Sequence, residues 1–185
     1  MTFPAFKEWQ VIVEALGAGE QVLLLRKGGI AEGRGGFQIT ARRFWLFPTR
    51  FHEQLDKTKP AAARWFEAVP TAGTAAIGTT VKLQYFADVV QTAFLDNWDA
   101  VRRLDAHHFW TESTLRERFD WSRPPGLHAI VVRTHKLLVP LSLSVDASMA
   151  GCKSWIELPC GFDAQPSSPV LADSIFADRL AGLSL

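Results

Sequence analysis

Residues 81–95 read Val-Lys-Leu-Gln-Tyr-Phe-Ala-Asp-Val-Val-Gln-Thr-Ala-Phe-Leu, and the fold turns on whether this stretch is strand or helix. Alternation with β-branched and aromatic residues predicts one long or broken strand around Leu83 to Phe94; a helix is the alternative. Downstream, Asn97 or Asp96 can cap a helix carrying Trp98, Val101 and Leu104, and Thr111-Glu112-Ser113-Thr114 opens another with Leu115 and Phe119 on one face. A Pro124-Pro125-Gly126 turn then leads into Leu127 to Val132, a strongly β-branched run continuing towards Leu143, with Pro140 as a bend or edge marker. Trp155 to Leu158 is a short strand, and Ser168-Pro169 opens a helix whose Leu171, Ile175, Phe176 and Leu180 dock on the body.

Upstream, Phe6, Trp9, Val13 and Leu16 share one helical face with Gly17 at the C-cap, predicting a first helix from about Pro4 to Leu16. Gln21 to Arg26 reads as a buried strand, Ala31 to Gly36 as a loop, and Phe37 to Thr40 and Arg43 to Phe47 as further strands ended by Pro48. Phe51 to Lys57 holds one helical turn or two. Pro60 begins a helix with Trp65, Phe66 and Val69 inward, stopped by Pro70. The uncharged stretch Ala72 to Thr80 is the most linker-like. The expectation is a single compact domain over 1–185 with two lobes meeting near 71–80.

The 185 residues are 48% hydrophobic with a net charge of +1, an ordinary globular balance. Cys152 and Cys160 match neither a disulfide scaffold nor a metal knuckle, which suits a reducing cytoplasm. No apolar run approaches the ~20 residues of a membrane helix and the N-terminus lacks a signal pattern, so no membrane partner is expected. The near-neutral total conceals a basic stretch: residues 24–64 hold nine Lys or Arg against three acids, +6, leaving −5 for the rest. Such a stretch fits a polyanion partner, because neutralised phosphates release counterions; a solvated face is the plain alternative.

The glycines of 28–36 form neither dinucleotide nor triphosphate fingerprint, and Gly151-Cys152-Lys153-Ser154 mimics only the last letters of a phosphate loop. A metal site would need His128 or His135 to approach His107 and His108, with Asp105 or Glu112, and nothing in the spacing demands it. His52 lies just past a strand in polar company, a place where proton-transfer groups collect. Cys152 beside Lys153 carries no protease signature and reads as a structural thiol. Seven Trp and thirteen Phe stand against one Tyr. Most plug the core, while Trp110 and Trp155, among polar neighbours, are the rings to test for base stacking.

Phe6-Lys7-Glu8-Trp9, Leu25-Arg26-Lys27-Gly28-Gly29-Ile30, Phe44-Trp45-Leu46-Phe47-Pro48-Thr49 with His52, and Gly151-Cys152-Lys153-Ser154-Trp155 resemble, in order and spacing over about residues 5–158, the bacterial domain of unknown function 1802 family. That family has no established activity, and no functional residue carries over. Its association with Mrr-type restriction endonuclease domains implies a restriction-modification or DNA-defence context. Lys82 to Val145, with its apolar strand, Trp-bearing helices and return strand, is similar in order to PUA-like barrels, some of which read modified bases.

The expected fold is therefore α+β, with a mostly antiparallel, partly barrel-like sheet flanked by helices and PUA-like in the second half. The expected function is nucleic-acid binding, extending to modified bases, with DNA or RNA and a restriction endonuclease-like subunit as partners and no cofactor or metal. Arg26, Lys27, Arg42, Arg43 and Arg50 would hold phosphates, His52 lies among them, Trp110 or Trp155 would stack on a base and Lys153 would contact the backbone. Two alternatives stand beside it: a small hydrolase or nuclease using His52 with Glu53, His107 or His108, and a non-catalytic protein-interaction subunit.

Overall fold

The computed structural model describes residues 1–27, 39–50, 54–67, 77–121, 124–151, 153–183 and 185. The stretch 81–95 is strand throughout: β4 (Thr80–Leu95) pairs antiparallel with β5 (Leu127–Ser144). Two register shifts, between Leu83 and Tyr85 and between Val89 and Gln91, break this ribbon. Bulges bend a strand and sharpen its twist, so one hairpin serves two apolar clusters. At the first shift the register passes from Leu83–Leu141 to Tyr85–Lys136, leaving Leu138, Val139 and Pro140 without β4 partners and exposed. Pro140, which lacks an N–H, sits where no ladder bond is required of it.

Elsewhere the order is β1 (Phe3–Trp9), α1 (Gln10–Gly17), β2 (Leu23–Arg26), β3 (Arg43–Thr49) and a 3-10 turn (Pro60–Ala62) running into α2 (Ala63–Glu67). Between β4 and β5 lie α3 (Trp98–Arg103), capped by the Asn97 side chain, and α4 (Glu112–Trp121); β6 (Trp155–Leu158), β7 (Ser167–Pro169) and α5 (Asp173–Ala181) follow. Among the described residues one sheet runs β2-β5-β4-β3-β1-β6 with β7 beside β5, so it draws strands from both sides of 71–80. Every pairing is antiparallel except β1 with β3. The architecture is mixed α+β with a mostly antiparallel sheet flanked by helices.

The sheet is curled. Strands β2 and β1 stand four places apart, which in a flat sheet is about 19 Å. Yet Arg26 on β2 lies 4.8 Å over the Phe6 ring on β1 and 3.5 Å from Glu8. The open edges therefore approach each other, and the sheet is partly closed. One apolar cluster gathers Phe6, Phe44, Leu46 and Leu23 to Leu25 with α1, α3 and α4, and a second gathers Ala5, Trp45, Phe47, Leu83, Phe86 and Ile156. Alternation along β1 and β3 sends successive side chains to the two clusters.

Three expectations are corrected. The first element is not one helix from Pro4 to Leu16 but β1 followed by α1: Phe6 enters the core through strand alternation, and both periodicities suit these few apolar positions. Pro48 does not end its strand; β3 pairs with β4 only from Arg43 to Trp45, so no β4 carbonyl waits for a Pro48 N–H. Ser168-Pro169 belongs to β7, the last helix starts at Asp173, and Ile175 points to solvent. The loop 31–36, the strand start at Phe37, and the Val69, Pro70 and 72–76 readings lie outside the described residues, and residues 39 and 40 are not strand.

Candidate nucleic-acid interface

The curl of the sheet builds a seam in which charge is concentrated. Glu8, fourth in the run Ala5-Phe6-Lys7-Glu8, faces inward beside Phe6 and is wholly shielded from solvent. Its Oε1 accepts the Trp9 backbone N–H at 2.7 Å, and its Oε2 faces Arg26 Nη1 at 3.5 Å. Arg26 reaches across the seam and donates from Nη2 to Ser154 Oγ at 3.0 Å. Arg118, one turn from the end of α4, donates to the Leu25 carbonyl at 3.2 Å and lies 4.6 Å over Trp9 and 5.2 Å over Trp110. Burial pushes its guanidinium down to about 10, with Glu8 opposing and Arg26 adding to the effect; it stays charged at neutral pH.

Lys27, next along from Arg26, projects over the Trp121 ring at 4.1 Å. Its ammonium pKa is lowered first by burial and then by Arg118, Arg26 and Lys57, against a smaller pull from Glu117. Lys27 thus feels three further cations, Arg118, Arg26 and Lys57, and Arg118 feels Arg26, with the carboxylates of Glu8 and Glu117 as counterweight. Concentrating like charge at a low-dielectric seam focuses a positive field on any anion that enters.

The far wall is fixed by Lys7. Its buried Nζ donates to the Met149 and Gly151 carbonyls at 2.9 and 2.7 Å, and its backbone N–H bonds the Ser154 carbonyl at 2.9 Å. Gly151 and Ser154 are thereby clamped to β1, and exposed Lys153 stands beside the Ser154 that holds Arg26. Trp155, half-buried, packs edge-on against Phe6 at 4.9 Å and Phe44 at 5.1 Å.

Arg26, Lys27, Lys153 and Trp155 therefore gather at one seam, and the other residues expected to join them do not. Arg43 points to the opposite face and is held by Asp88 at 2.6 and 2.8 Å; Asp88 also meets His135 Nε2 at 3.1 Å. A guanidinium chelated by a carboxylate offers little to a phosphate. Arg42 is exposed at the start of β3, and Arg50 folds back over Phe66 at 4.8 Å towards α2. Trp110 is fully buried beneath Arg118, so its ring has no open face for a base and plugs the core instead. His52 and Glu53 lie outside the described residues. His108 is buried, and burial pushes its imidazole down to about 4. Among the described residues no three His, Cys, Asp or Glu converge as metal ligands.

Glu8, Lys57, Arg118 and Trp121 were not singled out from sequence. Lys57 enters the sequence reading only through the charge count over 24–64. That Arg118 would meet Arg26 depends on tertiary placement of α4 alone.

The family described as Domain of unknown function (DUF1802) matches residues 5–181. The chain belongs to the DUF1802 family. The match takes in the seam from Glu8 to Trp155. A search of curated proteins gives no match. Among solved structures, a mutant of ASCH from Zymomonas mobilis is similar at 16% identity and a TM-score of 0.48, covering 97% of this chain and 94% of that one. The unsubstituted Zymomonas mobilis ASCH gives 13% and 0.45 over 97% and 94%. At these values the likeness carries nothing about a site, and the DUF1802 seam rests on its own geometry.

Proposed function

We propose that this DUF1802 protein binds nucleic acid along the seam, with phosphates held by Lys27, Lys57 and Lys153 at its mouth and drawn in by the field of Arg26 and Arg118, which stay paired deeper in. The observation that carries the reading is the convergence of cations across the curl, with Arg26 reaching from β2 to Glu8 and Ser154, Arg118 on the Leu25 carbonyl and Lys27 over Trp121: an incoming phosphate relieves their repulsion and releases counterions at once. Phosphate contacts of this kind position a ligand without reading its sequence. Sequence or modification preference would come from the rings bordering the mouth. No helix among the described residues is long and apolar enough to cross a membrane. The family association extends the reading to restriction-modification or DNA defence in the cytoplasm, beside an endonuclease-like subunit.

The test is fluorescence anisotropy with labelled DNA and RNA, modified and unmodified, at about 50 mM salt, where phosphate contacts dominate affinity. Lys27→Glu weakens binding at least tenfold, whereas Arg43→Ala, which removes a cation already chelated by Asp88, changes it less than about twofold. Equal affinity of Lys27→Glu and the parent for every probe would overturn the assignment.

A further inference from the structure

Among the described residues two large rings stand open at the end of the molecule where β2, β4 and β5 meet α4: Trp121 is 47% exposed and Phe94 45% exposed. Both are tied to the cationic seam. Cross-strand register sets Arg26 opposite His128 and His128 opposite Phe94, so these three positions share one face of β2, β5 and β4. The Phe94 ring lies 5.0 Å from His128. Gly126 lets Phe94 lie against the turn after α4: a Cβ there would stand 2.4 Å from Phe94 Cζ, and its N–H bonds the Phe119 carbonyl at 3.1 Å, one half-turn before Trp121. Gly126 therefore ties Phe94 to Phe119 of α4, the helix that ends on Trp121, and Lys27 lies over the Trp121 ring.

We propose that Trp121 and Phe94 are base-stacking platforms that restrict the seam to single-stranded nucleic acid, Lys27 leaving the Trp121 ring for a phosphate as a base takes its place. This rests on the nucleic-acid reading above and names its ligand class. The exchange runs downhill. A cation over an exposed aromatic ring strengthens an association by only about two- to fivefold, whereas a base stacked on an aromatic side chain contributes roughly five- to a hundredfold. The displaced ammonium also leaves the burial, and the neighbouring cations, that disfavour its charge over the ring. In a duplex both faces of each base are covered by neighbours, so only an unpaired or extruded base can occupy such a platform.

The experiment uses the whole chain and a labelled 12-nucleotide strand, as DNA and as RNA, each single-stranded and as the matching duplex. Trp121→Ala, Trp121→Phe and Phe94→Ala proteins are measured beside the parent, with thermal unfolding to confirm that each is folded. The parent prefers the single strand at least tenfold. Trp121→Ala lowers single-strand affinity at least fivefold and duplex affinity less than twofold, and Trp121→Phe recovers most of the loss because a ring face is restored. Duplex bound as tightly as single strand, or Trp121→Ala binding the single strand like the parent, overturns the platform while leaving the cationic seam standing. Failure of the parent to bind any probe overturns both.

Discussion

Replacing Glu8 by Gln probes the seam most sharply, because stability and binding should move in opposite directions. Glu8 is fully shielded and faces Arg26 at 3.5 Å, with Arg118 also near enough to feel its charge. Removing one partner of a buried pair costs about 3–5 kcal/mol, since the other charge is left desolvated and uncompensated. The Arg26 side chain keeps 18% of its surface in solvent, which places the loss near the lower end, about 3 kcal/mol. For a domain of this size each kcal/mol lowers Tm by about 2–4 °C, so the melting midpoint falls by roughly 6–12 °C. The same change frees Arg26 for a phosphate. Single-strand affinity then rises and the salt slope steepens by about 0.7 for one additional neutralised phosphate. Thermal unfolding by circular dichroism, with anisotropy titrations well below both midpoints, reads both effects. A Tm within about 2 °C of the parent, given the 2–4 °C expected per kcal/mol, together with unchanged or weaker binding, would refute the electrostatic account of the seam.

Two further predictions concern the fold that holds it. His108 is held near 4 in the fold by burial and returns to about 6.5 when unfolded. The unfolded chain alone gains a proton between those values, so this contribution is complete above about pH 6.5 and is lost as pH falls towards 4, roughly 3 kcal/mol in all. Urea titrations across that range should show a shallower pH slope for His108→Phe than for the parent, and an unchanged slope would contradict the assignment. Gly17→Ala would place a Cβ 2.3 Å from Tyr85 Cζ, overpacking worth about 1–3 kcal/mol; a melting point equal to the parent's would show that α1 and β4 are not so closely apposed.

Much of the fold was legible because the long strands carry redundant signals. Alternation from Val81 to Leu95, the β-branched run after Gly126 and the Asn97 cap each point to the element that forms. Pro4 to Trp9 reads as helix because Phe6, Trp9, Val13 and Leu16 fit a helical face by spacing, while the strand-to-helix change at Gln10 carries neither Gly nor Pro to announce it. Of the proposed interface, Arg26, Lys27, Lys153 and Trp155 stand out in the sequence through local words around glycine turns. Arg43 was not separable from them, because its chelation by Asp88 arises only from cross-strand register, 45 residues apart in sequence. Trp110 sat in polar company in sequence and in apolar company in space, since neighbours along a chain do not report what packs above a ring.

The central claim is that the seam is a phosphate-binding surface, and the dependence of affinity on salt tests it directly. Lys27, Lys57 and Lys153 at the mouth correspond to about three neutralised phosphates, which gives a slope of log affinity against log salt near −2 for a single strand. Measured between about 50 and 300 mM salt, where counterion release is linear, a slope near −2 that flattens by about 0.7 in Lys27→Glu is the predicted result. Binding that is absent at the lowest salt, or whose slope stays near zero, would contradict it.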